Sequence, residues 1–236
     1  SVTVVGNSLG GGIAMQFAYQ FPEMTERIVL VASGGLGRSV NPVIKALTVP
    51  GAGIALAAVS APPVRPVVRA TMSGLAASGL PWTEDLPGLA EAYEALADRR
   101  SRVAFRHVLR AAADWKGQVI TMIDRAYLAR SVPTMVVWGD RDLVIPVKHA
   151  YSAHELLPGS RLEIFRGSGH LPHEDDPDRF ARELTDFVMD TPAATYERDG
   201  FRQLLRSGHN PRHADVDDRV VRLPEQTDAW NAVPGA

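Results

Sequence analysis

A serine at position 8 stands between glycines in Gly6-Asn7-Ser8-Leu9-Gly10, directly after the apolar run Val2-Thr3-Val4-Val5 and directly before residues with helical spacing. A serine hydroxyl is a weak nucleophile at its ordinary pKa, and it needs a base that a third, acidic group orients. The chain supplies both further on. Two carboxylates, Asp140 and Asp142, occur in Trp138-Gly139-Asp140-Arg141-Asp142-Leu-Val-Ile-Pro146, and a histidine sits in Gly167-Ser168-Gly169-His170-Leu171-Pro172. Each group follows a short apolar segment, so each leaves the carboxyl end of an expected strand. Groups placed that way converge above one edge of a parallel sheet. The chemistry open to such a set is attack on a carbonyl, with the acyl group held for a time on the serine.

Four segments are expected to position them as strands: Val2 to Val5, Ile28 to Ala32, Thr134 to Trp138 and Leu162 to Phe165. The first three are β-branched or apolar on both faces, as a parallel sheet covered by helices requires. A sharp turn around Ser8 crowds its neighbours, so Gly6 and Gly10 are both expected to be needed for their small size. After the turn Ile13, Phe17 and Phe21 fall on one helical face, with Ala14 and Ala18 beside them and Pro22 ending the run. The helices between strands complete βαβ units, which favours a right-handed, mostly parallel, doubly wound α/β sheet. That core is assigned to residues 1–34 and 131–190. Residues 35–130 show no convincing strand, and their helical periodicity is strongest in Leu89 to Ala97 and Val103 to Ala112. An insertion of that length after a strand predicts a helical cap over the strand ends. Asp176-Pro177 then caps a last helix whose Phe180, Leu184, Phe187 and Val188 form one apolar stripe. Residues 191–236 turn polar and are expected to be a disordered tail, with one or two helical turns at Phe201 to Arg206.

Composition excludes several classes. With 236 residues, a net charge of −2 and 45% hydrophobic content, the chain is long enough for one core and an inserted layer. Lysine and arginine are scattered along the sequence, against a nucleic-acid partner. Cysteine is absent, which removes disulfides, thiolate metal sites and a cysteine nucleophile and fits a cytoplasmic protein. The uncharged stretch Ala46 to Val64 carries Pro50, Gly51, Gly53, Pro62 and Pro63, which suits a lid better than stable membrane insertion. His209-Asn-Pro-Arg-His213 has the spacing of helical zinc ligands, but Pro211 breaks the helix and no third ligand is apparent, so no metal is expected. Gly34-Gly35-Leu36-Gly37 lacks the third glycine of a dinucleotide fingerprint at its required spacing, and no Gly-Lys-Ser/Thr follows Gly10. No cofactor is expected.

Three blocks in order, Gly6-Asn7-Ser8-Leu9-Gly10, Trp138-Gly139-x-x-Asp142-x-x-x-Pro146 and Gly169-His170-x-Pro172, resemble the signatures of cap-bearing α/β-hydrolase fold proteins over about the first 190 residues. The resemblance implies Ser8 as nucleophile, His170 as base and Asp142, in preference to Asp140, as orienting acid. It implies the backbone N–H of Leu9 as one oxyanion donor. It further implies that the fold begins roughly a hundred residues before Ser1, including a loop with the second donor, so that the chain is an N-terminal truncation with impaired activity. A serine at this elbow leaves ester hydrolysis as first expectation, on a small apolar or acyl substrate. Carbon-carbon hydrolysis of ring-fission products is the alternative: Asn7 resembles that subgroup, whereas Leu171 replaces its usual Trp. An inactive relic is the reading from another class. Met72, Trp82, Trp115 and Met122 are candidates to line the substrate pocket.

Overall fold

A computed structural model describes residues 1–80 and 83–207, so Trp82, His209 and His213 lie outside the described residues. Val2–Asn7 forms β1, Thr25–Val31 β2, Thr134–Gly139 β5 and Arg161–Phe165 β6, in one sheet of order β1-β2-β5-β6 with every pair parallel. The register brings Asn7 beside Val31, Val31 beside Val137 and Gly139 beside Phe165. The strands therefore end together, and the segments carrying Ser8, Asp142 and His170 all emerge at that end.

Alternation along the central strands divides the core in two. Ile28, Leu30, Val136 and Trp138 point to one face. There they meet Ala14, Met15 and Ala18 of α1 (Leu9–Gln20) and Ala150 and Ala153 of α7 (Lys148–Leu156). Val29, Val31, Met135 and Val137 point to the other and meet Phe187 of α9 (Pro177–Asp190). Both faces of β2 and β5 are thus covered, which is why these strands are apolar throughout. Among the described residues β1 is an edge, with Val2 and Val5 exposed. This position overturns the expected face of α1: Ile13 is 62% exposed, and the buried face is Ala14, Met15, Ala18 and Tyr19. The small Ala14 and Ala18 let α1 lie close on the sheet with Met15 and Tyr19 packed beside them, while Ile13 and, past the helix end, Phe21 turn outward.

Between β2 and β5 runs the insertion: α2 (Pro42–Thr48), α3 (Ala52–Val59), α4 (Arg65–Ala76), α5 (Leu86–Ala95) and α6 (Arg99–Ala112). No described single helix is long and apolar enough to cross a membrane, and α2 and α3 meet at a 112° bend. Asp98 caps α6 by accepting from the N–H groups of Arg100 and Ser101, and Asp176 caps α9 by accepting from Arg179. The insertion also contains strands, contrary to expectation: β3 (Ala113–Asp114) and β4 (Gly117–Gln118) pair antiparallel. Two residues per strand leave no alternation to read. Their turn is instead held by Asp114, which accepts from the N–H of Lys116 and of Gly117.

The boundary at residue 191 also needs correction. Thr191 is tied to the sheet through Arg27, and Arg198–Ser207 forms the amphipathic α10, whose Phe201 and Leu204 pack on the core. Charged residues between these two anchors mask them in composition. Residues 208–236 lie outside the described residues.

Candidate active site

Ser8 occupies the turn between β1 and α1 with φ 53° and ψ −120°, a conformation that costs an L-residue about 1–3 kcal/mol. The surroundings hold it there. Ser8 N–H donates to Val31 O at 2.9 Å, and Ser8 O accepts from Gly11 at 3.0 Å and Gly34 at 2.7 Å. A Cβ on Gly6 would collide with the backbone carbonyl of Gly10, so Gly6 is sterically required. Gly10 is not: a Cβ there meets nothing within 4 Å, and the second restricted position is Gly11, where a Cβ would strike Ser33. The contact at the turn is one-sided because the backbone of Gly10, not its Cα substituent, presses on Gly6. The N–H groups at the start of α1, Leu9 among them, give that end of the helix a partial positive charge beside the serine.

The two carboxylates after β5 separate by task. Buried Asp142 accepts from Val144 and Ile145 N–H, both at 2.8 Å, through Oδ1, and its Oδ2 lies 2.9 Å from His170 Nδ1. Asp140 instead accepts from Gly167 N–H at 2.7 Å and braces the turn after β6. With Nδ1 engaged by Asp142, the Nε2 of His170 is left for other work. Ser8 Oγ and His170 share no direct hydrogen bond among the described residues, yet both line one cavity.

Sequence reading missed the groups that fix His170. Its backbone N–H donates to Asp85 Oδ1, and its carbonyl accepts from Asn7 Nδ2 at 3.3 Å. Asp85 Oδ2 also accepts from Leu143 N–H at 2.8 Å, and Glu84 pairs with Arg141. One carboxylate of the insertion thus ties the loop of Asp142 to the loop of His170. Burial pushes the Asp85 carboxyl above its usual range, against the pull of the two backbone N–H groups. The only signal in the sequence is Thr83-Glu84-Asp85 ahead of α5, which reads as a helix cap. Asp85 does stand at that cap, but its side chain makes no capping bond and reaches across to the strand ends instead.

The shared cavity has a volume of about 400 Å³. Ser8 and His170 meet apolar walls there from Leu89, Phe105, Val108, Leu109, Val144 and Leu171. Among its described lining residues Asp85 and His170 are the ionisable ones, and no lysine or arginine contributes. Gln118 also lines it. Its Oε1 accepts from Gly35 N–H at 2.7 Å, and its buried Nε2 has no partner. Of the expected pocket residues, the three that are described do not line this cavity. Met122 is buried in the core beside Gly35, Trp115 is 66% exposed at the β3–β4 turn with Lys116 over its ring, and Met72 sits on α4 away from the cavity. Apolar helix positions serve several packing tasks, so residue type alone did not select the wall. No group of three or more His, Asp or Glu side chains suited to a metal occurs among the described residues.

A parallel sheet that delivers a strained serine, a histidine and a carboxylate to one end, beneath a helical insertion, defines an α/β-hydrolase fold. The model of the Alpha/beta hydrolase family matches residues 1–183, and the chain belongs to that family. It is 44% identical over 209 residues to an uncharacterized protein of Mycobacterium tuberculosis, covering 88% of this chain and 61% of the relative. It is 26% identical over 199 residues to the 2-hydroxy-6-oxo-6-phenylhexa-2,4-dienoate hydrolase of Burkholderia cepacia, covering 78% and 62%. Among solved structures, the hydrolase of that name from a Rhodococcus species superposes with a TM-score of 0.57 at 17% identity, covering 78% of this chain and 63% of that one. A thermophilic esterase superposes with 0.52 at 22%, covering 82% and 68%. These structural likenesses speak for the fold. The chain spans 61% and 62% of the lengths of the two curated relatives.

Proposed function

We propose that the chain carries the nucleophile, base and acid of a serine hydrolase acting on a neutral, apolar carboxylic ester. The observation that carries this reading is the contact of buried Asp142 with Nδ1 of His170, which lines the same cavity as strained Ser8. In the reaction Ser8 Oγ attacks the ester carbonyl while His170 Nε2 takes its proton. Asp142 holds the Nδ1–H tautomer and stabilises the imidazolium. The carbonyl electron pair moves onto oxygen, where Leu9 N–H is one donor. Collapse expels the alkoxide, which takes the proton from His170, and leaves an acyl group on Ser8. Water, deprotonated by the same Nε2, then releases the acid and restores the serine. Asp85 and Asn7 act through His170 as positioning residues.

The second reading, hydrolysis of a carbon-carbon bond in a ring-fission dienoate, is favoured by the relative of that activity at 26% identity and by Asn7. Such a substrate carries a carboxylate. The described cavity wall offers it no lysine or arginine and places Asp85 against it, which supports the neutral ester. Labelling with a fluorophosphonate, read by peptide mass with Ser8→Ala as control, tests the nucleophile. Modification confined to Ser8 is expected. An unmodified, folded protein refutes the reading in favour of an inactive relic, and faster turnover of a dienoate than of acyl esters refutes the ester.

A further inference from the structure

The outer side of the insertion has a charge pattern that the hydrolase site does not use. Between Arg27 and Glu84 there is no acidic residue, and the charges are Arg38, Lys45, Arg65 and Arg69, although the whole chain is net negative. The next basic set lies on α6. Arg99, Arg102, Arg106 and Arg110 follow one another at three- and four-residue spacing, so they form a row on one helical face. Three of them, Arg99, Arg102 and Arg106, line an open groove of about 380 Å³ together with Ile54, Ala57 and Val103. The row is locally unfavourable. Arg99, Arg100 and Arg102 stand in the first turn, against the helix dipole, and Arg102, Arg106 and Arg110 repel at four-residue spacing.

Compensation within the protein is slight. None of the four forms an ion pair with a carboxylate among the described residues. The nearest acid on the element, Asp98, is engaged as its cap, and Arg102 donates to the carbonyls of Leu96 and Ala97. The Arg106 guanidinium lies over Gly53, where any side chain would displace it, and its buried Nε has no partner. Beside these cations the surface is aliphatic: Ile54 is 79% exposed, and Val103 is exposed in the groove itself. Among the described residues no aromatic ring lines the groove to stack on a base.

We infer that the groove between α3 and α6 is a docking surface for an anionic phospholipid membrane, with Arg99, Arg102 and Arg106 on the phosphates and Ile54 and Val103 entering the interface. Cations flanked by short aliphatic side chains match a surface that is negative at the headgroups and apolar just beneath. Binding here is independent of Ser8 chemistry, so it stands or falls separately from the hydrolase reading.

Flotation of the full chain with vesicles tests it, because aggregates sink and bound protein rises. Vesicles of phosphatidylcholine with phosphatidylglycerol are expected to carry the protein, and phosphatidylcholine alone is not. About 1 M salt, where the Debye length falls to about 3 Å, is expected to release it. These two arms need no variant. R99Q/R102Q/R106Q is expected to weaken binding on the order of a hundredfold, at about fivefold per charge. The matching R99K/R102K/R106K, checked with it for an unchanged melting temperature, is expected to retain binding. Equal flotation with both lipids, salt-insensitive binding, or no flotation overturns the inference. So does an arginine-dependent interaction with inorganic phosphate or an oligonucleotide but not with vesicles.

Discussion

Replacing Asp85 separates a group that positions His170 from one that merely fills space. In Asp85→Ala the N–H groups of Leu143 and His170 both lose their acceptor. Each buried, unsatisfied donor costs about 1–3 kcal/mol, so the gross loss is about 2–6 kcal/mol. Part of it is returned, because burial already disfavours the ionised carboxylate, as the upward displacement of its pKa shows. A net loss of about 2–4 kcal/mol is expected. Asp85→Asn keeps one acceptor and sets an NH₂ against the other N–H, so it is expected to lose about 1–2 kcal/mol, with removal of the buried charge offsetting the rest. The more specific expectation concerns rate. A misplacement of about 1 Å at a reacting group costs roughly a hundredfold, so kcat for a p-nitrophenyl ester is expected to fall by about tenfold in Asp85→Asn and a hundredfold in Asp85→Ala. KM is expected to change little, since the apolar walls are untouched. The assay is kcat and KM at a temperature where urea titration shows each variant folded. Parental kcat in both folded variants refutes the positioning role, whatever happens to stability.

Three further outcomes follow from the same geometry. Gly6→Ala is expected to destabilise by about 3 kcal/mol or more or to abolish turnover, measured by urea denaturation and initial rates, because its Cβ meets the Gly10 backbone rather than a movable side chain; Gly10→Ala should be tolerated. His149 is buried against Gly37, hydrogen-bonded to Ser39 Oγ at 2.8 Å, and burial lowers its pKa to about 4. Its folded pKa lies below the unfolded value of about 6.5, so the stabilisation is present above that pH and is lost as pH falls through about 4. The contribution is about 3 kcal/mol, and chemical denaturation across this window should show that much more acid sensitivity than in His149→Gln. Gln118→Glu keeps the acceptor for Gly35 N–H but removes the buried donor at the cavity; KM for a neutral ester is expected to rise about tenfold or more, read from steady-state kinetics against unchanged fluorophosphonate labelling of Ser8.

What was legible in the sequence is what depends on local rules. The four strands of the sheet follow from short apolar runs, each with a glycine within a few residues of its end. The placement of Ser8, Asp142 and His170 at one end of that sheet follows from the strands they succeed. The cavity wall was not legible, because it is made by helices whose faces are decided only when the insertion folds over the sheet. Leu89, Phe105, Val108 and Leu109 belong to two successive helices that were foreseen, yet nothing in their spacing distinguishes the cavity from plain core. Asp85 was hidden for a different reason. A carboxylate just before a helix has a sufficient local explanation, and only the tertiary structure shows that the local bond is not made and that two distant amides claim it. The row on α6 is the opposite case. Its arginines are plain in the sequence and contradict the helix dipole there, but scattered numbering concealed that the helical repeat gathers them on one face beside Ile54. A conflict between a helix and its own charges, with no ion pair to relieve it among the described residues, is therefore more informative than net charge, because it marks where the fold tolerates a local cost that its own carboxylates do not offset.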